Sequence, residues 1–149
     1  MIIQTSNLKK AKQLIKRAQT PIIVQAQNEE FNRKILENGK LQILLSLEAK
    51  AGKNKVRQTD SGLNHVLAKI ASKNNIAIGV NLKEIAKLEK KEKAERLAKI
   101  RQNIKICRKA KTKLAIFGAN LKEAHNLLQS LGASTQQIKE SITIQNKYF

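Results

Sequence analysis

An α/β fold built on a parallel sheet of about five strands with covering helices is what this sequence predicts. Three observations carry the prediction. Short apolar runs recur at near-even spacing: Ile22-Ile23-Val24, Leu41 to Leu45, Ile76 to Val80 and Leu114-Ala115-Ile116-Phe117. Between them, apolar residues return at the i, i+3, i+4 and i+7 positions of a helix. At 149 residues the chain reads as a single domain, 1–149, able to bury a core. Right-handed crossovers bend such a βαβα chain towards a barrel or an open doubly wound sheet.

Each element has its local reason. Met1 to Gln4 is a short apolar start, an edge strand open to pairing with another chain. Asn7 is placed to cap a helix through about Ala18, with Leu8, Ala11, Leu14, Ile15 and Ala18 inward. Pro21 stops the helix and leads into Ile22. Asn28 begins a second helix with Phe31, Ile35 and Leu36 inward, and Asn38-Gly39 ends it. Residues 46–59 read as a long loop carrying Lys50, Lys53, Lys55 and Arg57, either a phosphate-moulding segment or a solvated connector. Asp60 or Ser61 is expected to cap a third helix whose inner face is Leu63, Val66, Leu67 and Ile70. Asn74-Asn75 can take the left-handed turn that ends it. Ile76 to Val80 is the apolar run of a strand covered on both faces.

Charge bounds the function. Thirty Lys and Arg stand against eleven Asp and Glu, a formal net charge of +19. A polyanion is the partner such a charge fits, because neutralised phosphates release their condensed counterions. Membrane surfaces and acidic proteins are the other candidates. From Leu82 to Lys113 there are thirteen Lys and Arg and four Glu, and no acid follows Arg96. Leu97, Ile100, Ile104 and Cys107 form an inner helical face there, and the cations lie around the rest. With only Phe31, Phe117, Tyr148 and Phe149 as aromatics, phosphate and shape contacts are expected to dominate over base stacking.

The chemistry of an enzyme is sparse. One aspartate, Asp60, and ten glutamates offer no converging carboxylate set of the kind a two-metal nuclease uses. His65 and His125 stand alone. One cysteine, Cys107, excludes an internal disulfide, and its place on the apolar stripe argues for packing. No signal peptide pattern and no membrane-length apolar run occur, so a cytoplasmic location without membrane contact is expected. A small α/β enzyme would need a pocket near Ser46, Asn81 and Gly118, at the strand ends.

The run Ser61-Gly62-Leu63-Asn64-His65-Val66-Leu67-Ala68-Lys69, followed by Asn75-Ile76-Ala77-Ile78-Gly79, closely resembles the signature segment of archaeal ribonuclease P protein component three. That family includes the thirty-kilodalton subunit of the eukaryotic enzyme. Asn32-Arg33, Glu37-Asn38-Gly39 and Ile43-Leu44-Leu45 are similar to the family's stretch before the signature. Arg96, Arg101, Asn103 and Cys107-Arg108-Lys109 are similar to its basic helix. Leu131-Gly132-Ala133 with Ile138 to Ser141 is similar to its closing helix. The resemblance implies an incomplete, open TIM-barrel-like sheet. It implies a subunit of ribonuclease P, an RNA-catalysed endoribonuclease that removes the 5′ leader from precursor tRNA. The chain itself would not be catalytic. Implied partners are the ribonuclease P RNA, protein component two in a tetramer of two plus two, and precursor tRNA indirectly. No cofactor is implied in the chain, and magnesium is expected at the RNA.

The motif match carries over Asn32, Arg33, Asp60, Ser61, Gly62, Asn64, His65, Arg101 and Arg108. Joined with the charge reading, the candidate RNA-binding set is Arg33, Lys53, Lys55, Arg57, Asn64, His65, Arg96, Arg101, Lys105, Arg108 and Lys109. The sequence departs from the family at its start, which corresponds to a point after the family's first two βα units. It departs again after Gly118-Ala119, where an arginine-containing loop is lacking. A ribosomal or other structural RNA-binding protein of α/β fold is the alternative function.

Overall fold

The computed structural model describes residues 2–50 and 60–149. Five parallel strands form one sheet in the order β1-β2-β3-β4-β5: β1 (Ile2–Ile3), β2 (Ile23–Gln25), β3 (Ile43–Leu45), β4 (Ala77–Asn81) and β5 (Leu114–Phe117). Each strand thus pairs with its neighbours in sequence. That is the winding of a (β/α) barrel, and β1 and β5 do not meet, so the sheet stays open. The alternative of a doubly wound sheet is removed by this order, because double winding needs a reversal of strand order.

The helices are α1 (Leu8–Arg17), α2 (Glu29–Asn38), α3 (His65–Lys73), α4 (Leu82–Ala86), α5 (Lys90–Ala110), α6 (Leu121–Ser130) and α7 (Thr135–Tyr148). A 3-10 turn, Leu47–Lys50, opens the stretch expected to be loop. The strands are short, and alternation along them separates two cores. Ile3, Val24, Leu44, Ile78, Leu114 and Ile116 join the main cluster with Ile15, Ile35, Leu36, Leu67 and Ile104 of the helices. Ile23, Ile43, Leu45, Ala77 and Ala115 face the other way, into a second cluster with Ile2, Phe117 and Ile144. Gly79 sits in that second face because a Cβ there would lie 2.6 Å from Ile43 Cγ2 and 3.0 Å from Leu45 Cδ1.

Ile144 belongs to α7, which therefore reaches the concave side of the half-barrel rather than the helical layer alone. Gln145 on α7 donates to the Ala119 carbonyl just beyond β5. The Phe149 ring meets the Phe117 ring edge-on at 5.5 Å. The closing helix thus covers the β5 end of the sheet.

Every junction from a strand to the helix after it ends in an asparagine cap. Asn7, Asn28, Asn64, Asn81 and Asn120 each accept from the backbone N–H three residues on. This corrects the expected cap of α3: the cap is Asn64, 2.9 Å from the Leu67 nitrogen. Asp60 instead accepts from the Gly62 N–H at 3.1 Å. The shift of start rotates the helix. Leu63 is buried ahead of it, and Val66 is 55% exposed instead of lying on the inner face. The inner face is Leu67, Ala68 and Ala71.

Candidate nucleic-acid interface

The long basic helix α5 is held by its C-terminal half. Ile100, Asn103, Ile104, Ile106 and Cys107 are buried. Asn103 Nδ2 donates to the Ser61 carbonyl at 3.3 Å, and Thr112 Oγ1 to the Ala68 carbonyl at 2.7 Å, which seat the helix beside α3. At 100° per residue, Arg101, Lys105 and Arg108 fall on one outward flank, with Lys109 beside them. All four are exposed. Arg101, Lys105 and Lys109 take part in none of the ion pairs among the described residues. Successive cations at i and i+4 are about 6 Å apart along a rigid helix.

Arg108 differs from its neighbours. Its Nε donates to Gln137 Oε1 at 3.3 Å and an Nη to the Gly132 carbonyl, so it also fastens α5 to the start of α7. Gln137 in turn donates to the Ile104 carbonyl at 2.9 Å.

Arg96 departs from the expected basic face. Its side chain is only 13% exposed and turns inward to two carboxylates, Glu48 at 3.1 Å and Glu84 at 3.5 Å. Its charge is used inside the fold because Glu48, with its side chain 1% exposed, needs a counter-charge. Burial still lifts the Glu48 carboxyl above its ordinary range, against the pull of Arg96. Ser46, buried with φ 59°, lies 3.5 Å from Glu84, so the strand-end position considered for an enzyme pocket belongs to this ionic cluster. Asn81 is a helix cap, and Gly118 lies against the Lys83 side chain.

The signature segment turns out to be structural in large part. Ser61 is buried, Gly62 has φ +77°, a conformation that favours glycine, and Asn64 both caps α3 and donates to Glu29 at 3.2 Å. His65 is exposed at the first turn of α3. Asn32 is buried and closes a ring with the Gln27 backbone at 2.8 and 3.1 Å. Arg33 is exposed and pairs with Glu37 one turn on at 3.0 Å. Lys53, Lys55 and Arg57 lie outside the described residues. The α5 flank is carried on a different helix from Arg33, which lies on α2, and from Asn64 and His65, at the start of α3.

Cys107 is fully buried, and burial pushes its thiol up to about 12. Among the described residues no group of three or more His, Cys, Asp or Glu is placed to hold a metal ion. No helix among them is long and apolar enough to cross a membrane. Sequence reading missed the Glu48–Arg96–Glu84 cluster. Its one signal was an isolated glutamate between Leu47 and Ala49, in a stretch taken for loop.

Fold and surface together define an open, sequentially wound α/β half-barrel with a cationic outer helix. Its curated relatives are archaeal ribonuclease P protein component 3, and the resemblance read from the signature segment is shown by them. The protein of Methanococcus vannielii is 30% identical over 100 residues, covering 66% of this chain and 40% of the relative. That of Methanococcus maripaludis is 26% identical over 122 residues, covering 79% and 50%. That of Methanosarcina mazei is 32% identical over 88 residues, covering 59% and 34%. The matches thus span half or less of the length of these relatives. No family model matches the chain. In three dimensions it is similar to a chain of an archaeal ribonuclease P with mature tRNA solved by cryo-electron microscopy. The TM-score is 0.77 at 23% identity, over 98% of this chain and 64% of that one. A crystal structure of an uncharacterized protein matches at TM-score 0.55 and 13% identity, over 94% of this chain and 39% of that one.

Proposed function

We propose that this protein is an RNA-binding subunit of ribonuclease P, acting in the cytoplasm and supporting removal of the 5′ leader from precursor tRNA. The observation that carries the reading is the exposed row Arg101, Lys105, Arg108 and Lys109, set on a helix whose opposite face is locked into the core. Such a row neutralises RNA phosphates without rearrangement of the protein, and each contact releases counterions. The net charge of +19 and the kinship with component 3 support it.

The job on this reading is electrostatic and geometric. Cations let folded RNA segments approach one another, and the RNA's demand for magnesium falls. The magnesium ions belong to the RNA, and the chemistry is the RNA's. Protein component two is the proposed companion, as a tetramer of two plus two.

The test is reconstitution of leader cleavage with the cognate RNA and companion proteins. Omitting this chain should lower the rate and raise the magnesium requirement. If neither changes, the reading fails. Sequencing the RNA that co-purifies separates it from a ribosomal role.

A further inference from the structure

A second group of polar side chains gathers where the strands begin, just past the C-terminal end of α5. Gln42 directly precedes β3, Asn75 lies two residues before β4, and Lys113 directly precedes β5. The end of α7 brings Thr143, Ile144, Lys147 and Tyr148 to the same place. Together with Ala77 these residues line a cavity of about 130 Å³. That is below the roughly 300 Å³ at which pockets for small organic ligands begin.

The lining is one-sided in its chemistry. It holds two ammonium groups, two amides and two hydroxyls, and no carboxylate. Both amide oxygens are already engaged. Gln42 Oε1 accepts from the Ile22 N–H at 2.6 Å, and Asn75 Oδ1 accepts from Lys113 Nζ at 3.1 Å. What each amide has left to offer is its NH₂, a donor. Asn75 is held in this place by a left-handed backbone, φ 55°, in the turn between α3 and β4. Lys147 Nζ lies 5.2 Å from the Tyr148 ring centre, on the cavity's wall. Donors that converge with no acid among them select an anion, and a phosphate offers acceptors on every side.

We propose that this cavity binds a single phosphate group. Gln42, Asn75, Lys113 and Lys147 are the donors. The site is independent of the α5 row, and its occupant is either a backbone diester of RNA or a free or terminal phosphate.

The experiment follows the side-chain amide signals of Gln42 and Asn75 by NMR in the full chain. It titrates inorganic phosphate in one arm and a uridine dinucleotide with one internal diester in the other. Saturable shifts are expected at both amides. Lys147→Gln, an exposed change that leaves the fold intact, should weaken binding about tenfold, as loss of one charge-assisted contact would. Lys113→Gln should do the same. Saturation with the diester assigns the site to RNA backbone. Saturation with the inorganic ion alone assigns it to a free or terminal phosphate. Shifts that never saturate in either arm, or that Lys147→Gln leaves unchanged, overturn the proposal. The double variant Arg101→Glu, Lys105→Glu separates this site from the functional reading above. It should lose RNA affinity yet titrate phosphate as the wild type does.

Discussion

Arg96 donates to Glu48 at 3.1 Å across a sequence separation of 48 residues, and the pair pins the basic helix to the end of the sheet. Removing the arginine leaves a carboxylate that water barely reaches. Arg96→Ala should destabilise the protein by about 3 kcal/mol near neutral pH, read from urea unfolding. The deficit should shrink on acidification, as Glu48 takes up a proton and no longer needs a counter-charge. Burial raises the Glu48 carboxyl, so the folded protein holds that proton more tightly than the unfolded chain. Its contribution to stability is therefore complete below the ordinary value of 4.5 and falls as pH rises through the folded value. Glu48→Gln should gain on the wild type over the same range. Parallel stability curves for wild type and Glu48→Gln would show that the carboxyl is not titrating there.

The buried thiol at Cys107 should be inert. With its value near 12 and no solvent contact, almost no thiolate forms at mild alkaline pH. Iodoacetamide should label the protein only as fast as it unfolds, and rapidly in denaturant. Fast labelling of the native protein would contradict the packing of α5.

Asn64 has a structural duty that can be separated from any contact with RNA. Asn64→Ala should cost about 1 kcal/mol through loss of the cap on α3. Asn64→Ser keeps the cap and should keep most of the stability. Equal stability losses for the two changes would point to the bond with Glu29 rather than the cap.

The cations of α5 should fall into two groups. Arg101→Glu and Lys105→Glu should weaken RNA binding while circular dichroism stays native, because neither side chain has an ion-pair partner among the described residues. Arg108→Glu should also lower stability, since it removes the ties to Gln137 and Gly132. If about five phosphates are neutralised, log affinity should fall against log salt with a slope near about −4.5. A flat salt dependence would remove the electrostatic account.

Strand and helix order was readable because apolar period is a local property. Ile43 to Leu45 and Leu114 to Phe117 are apolar runs whichever way the sheet winds. Asn7 and Asn28 could be named as caps because a strand ended just before them. Asn64 could not, since Asp60 and Ser61 offered the same chemistry a few residues earlier, and only burial of Leu63 and Ser61 decides between them. The fate of Arg96 depended on Glu48 and Glu84, two acids far off in sequence, and charge counting sees no such pairing. The cavity at the strand starts was hidden for the same reason. Its donors come from three turns and one helix end, brought together only by the sheet.

The consecutive order of the strands bears on how the molecule comes into being. No strand after β1 has to wait for a partner made later in the chain. As each βα unit leaves the ribosome it can dock on the one before, so the sheet grows from one side. Each later strand finds its partner already in place, which leaves little time for an unpaired edge to find the wrong neighbour. α7 follows β5 in the chain and can then seat Ile144 on the inner face of a sheet already formed.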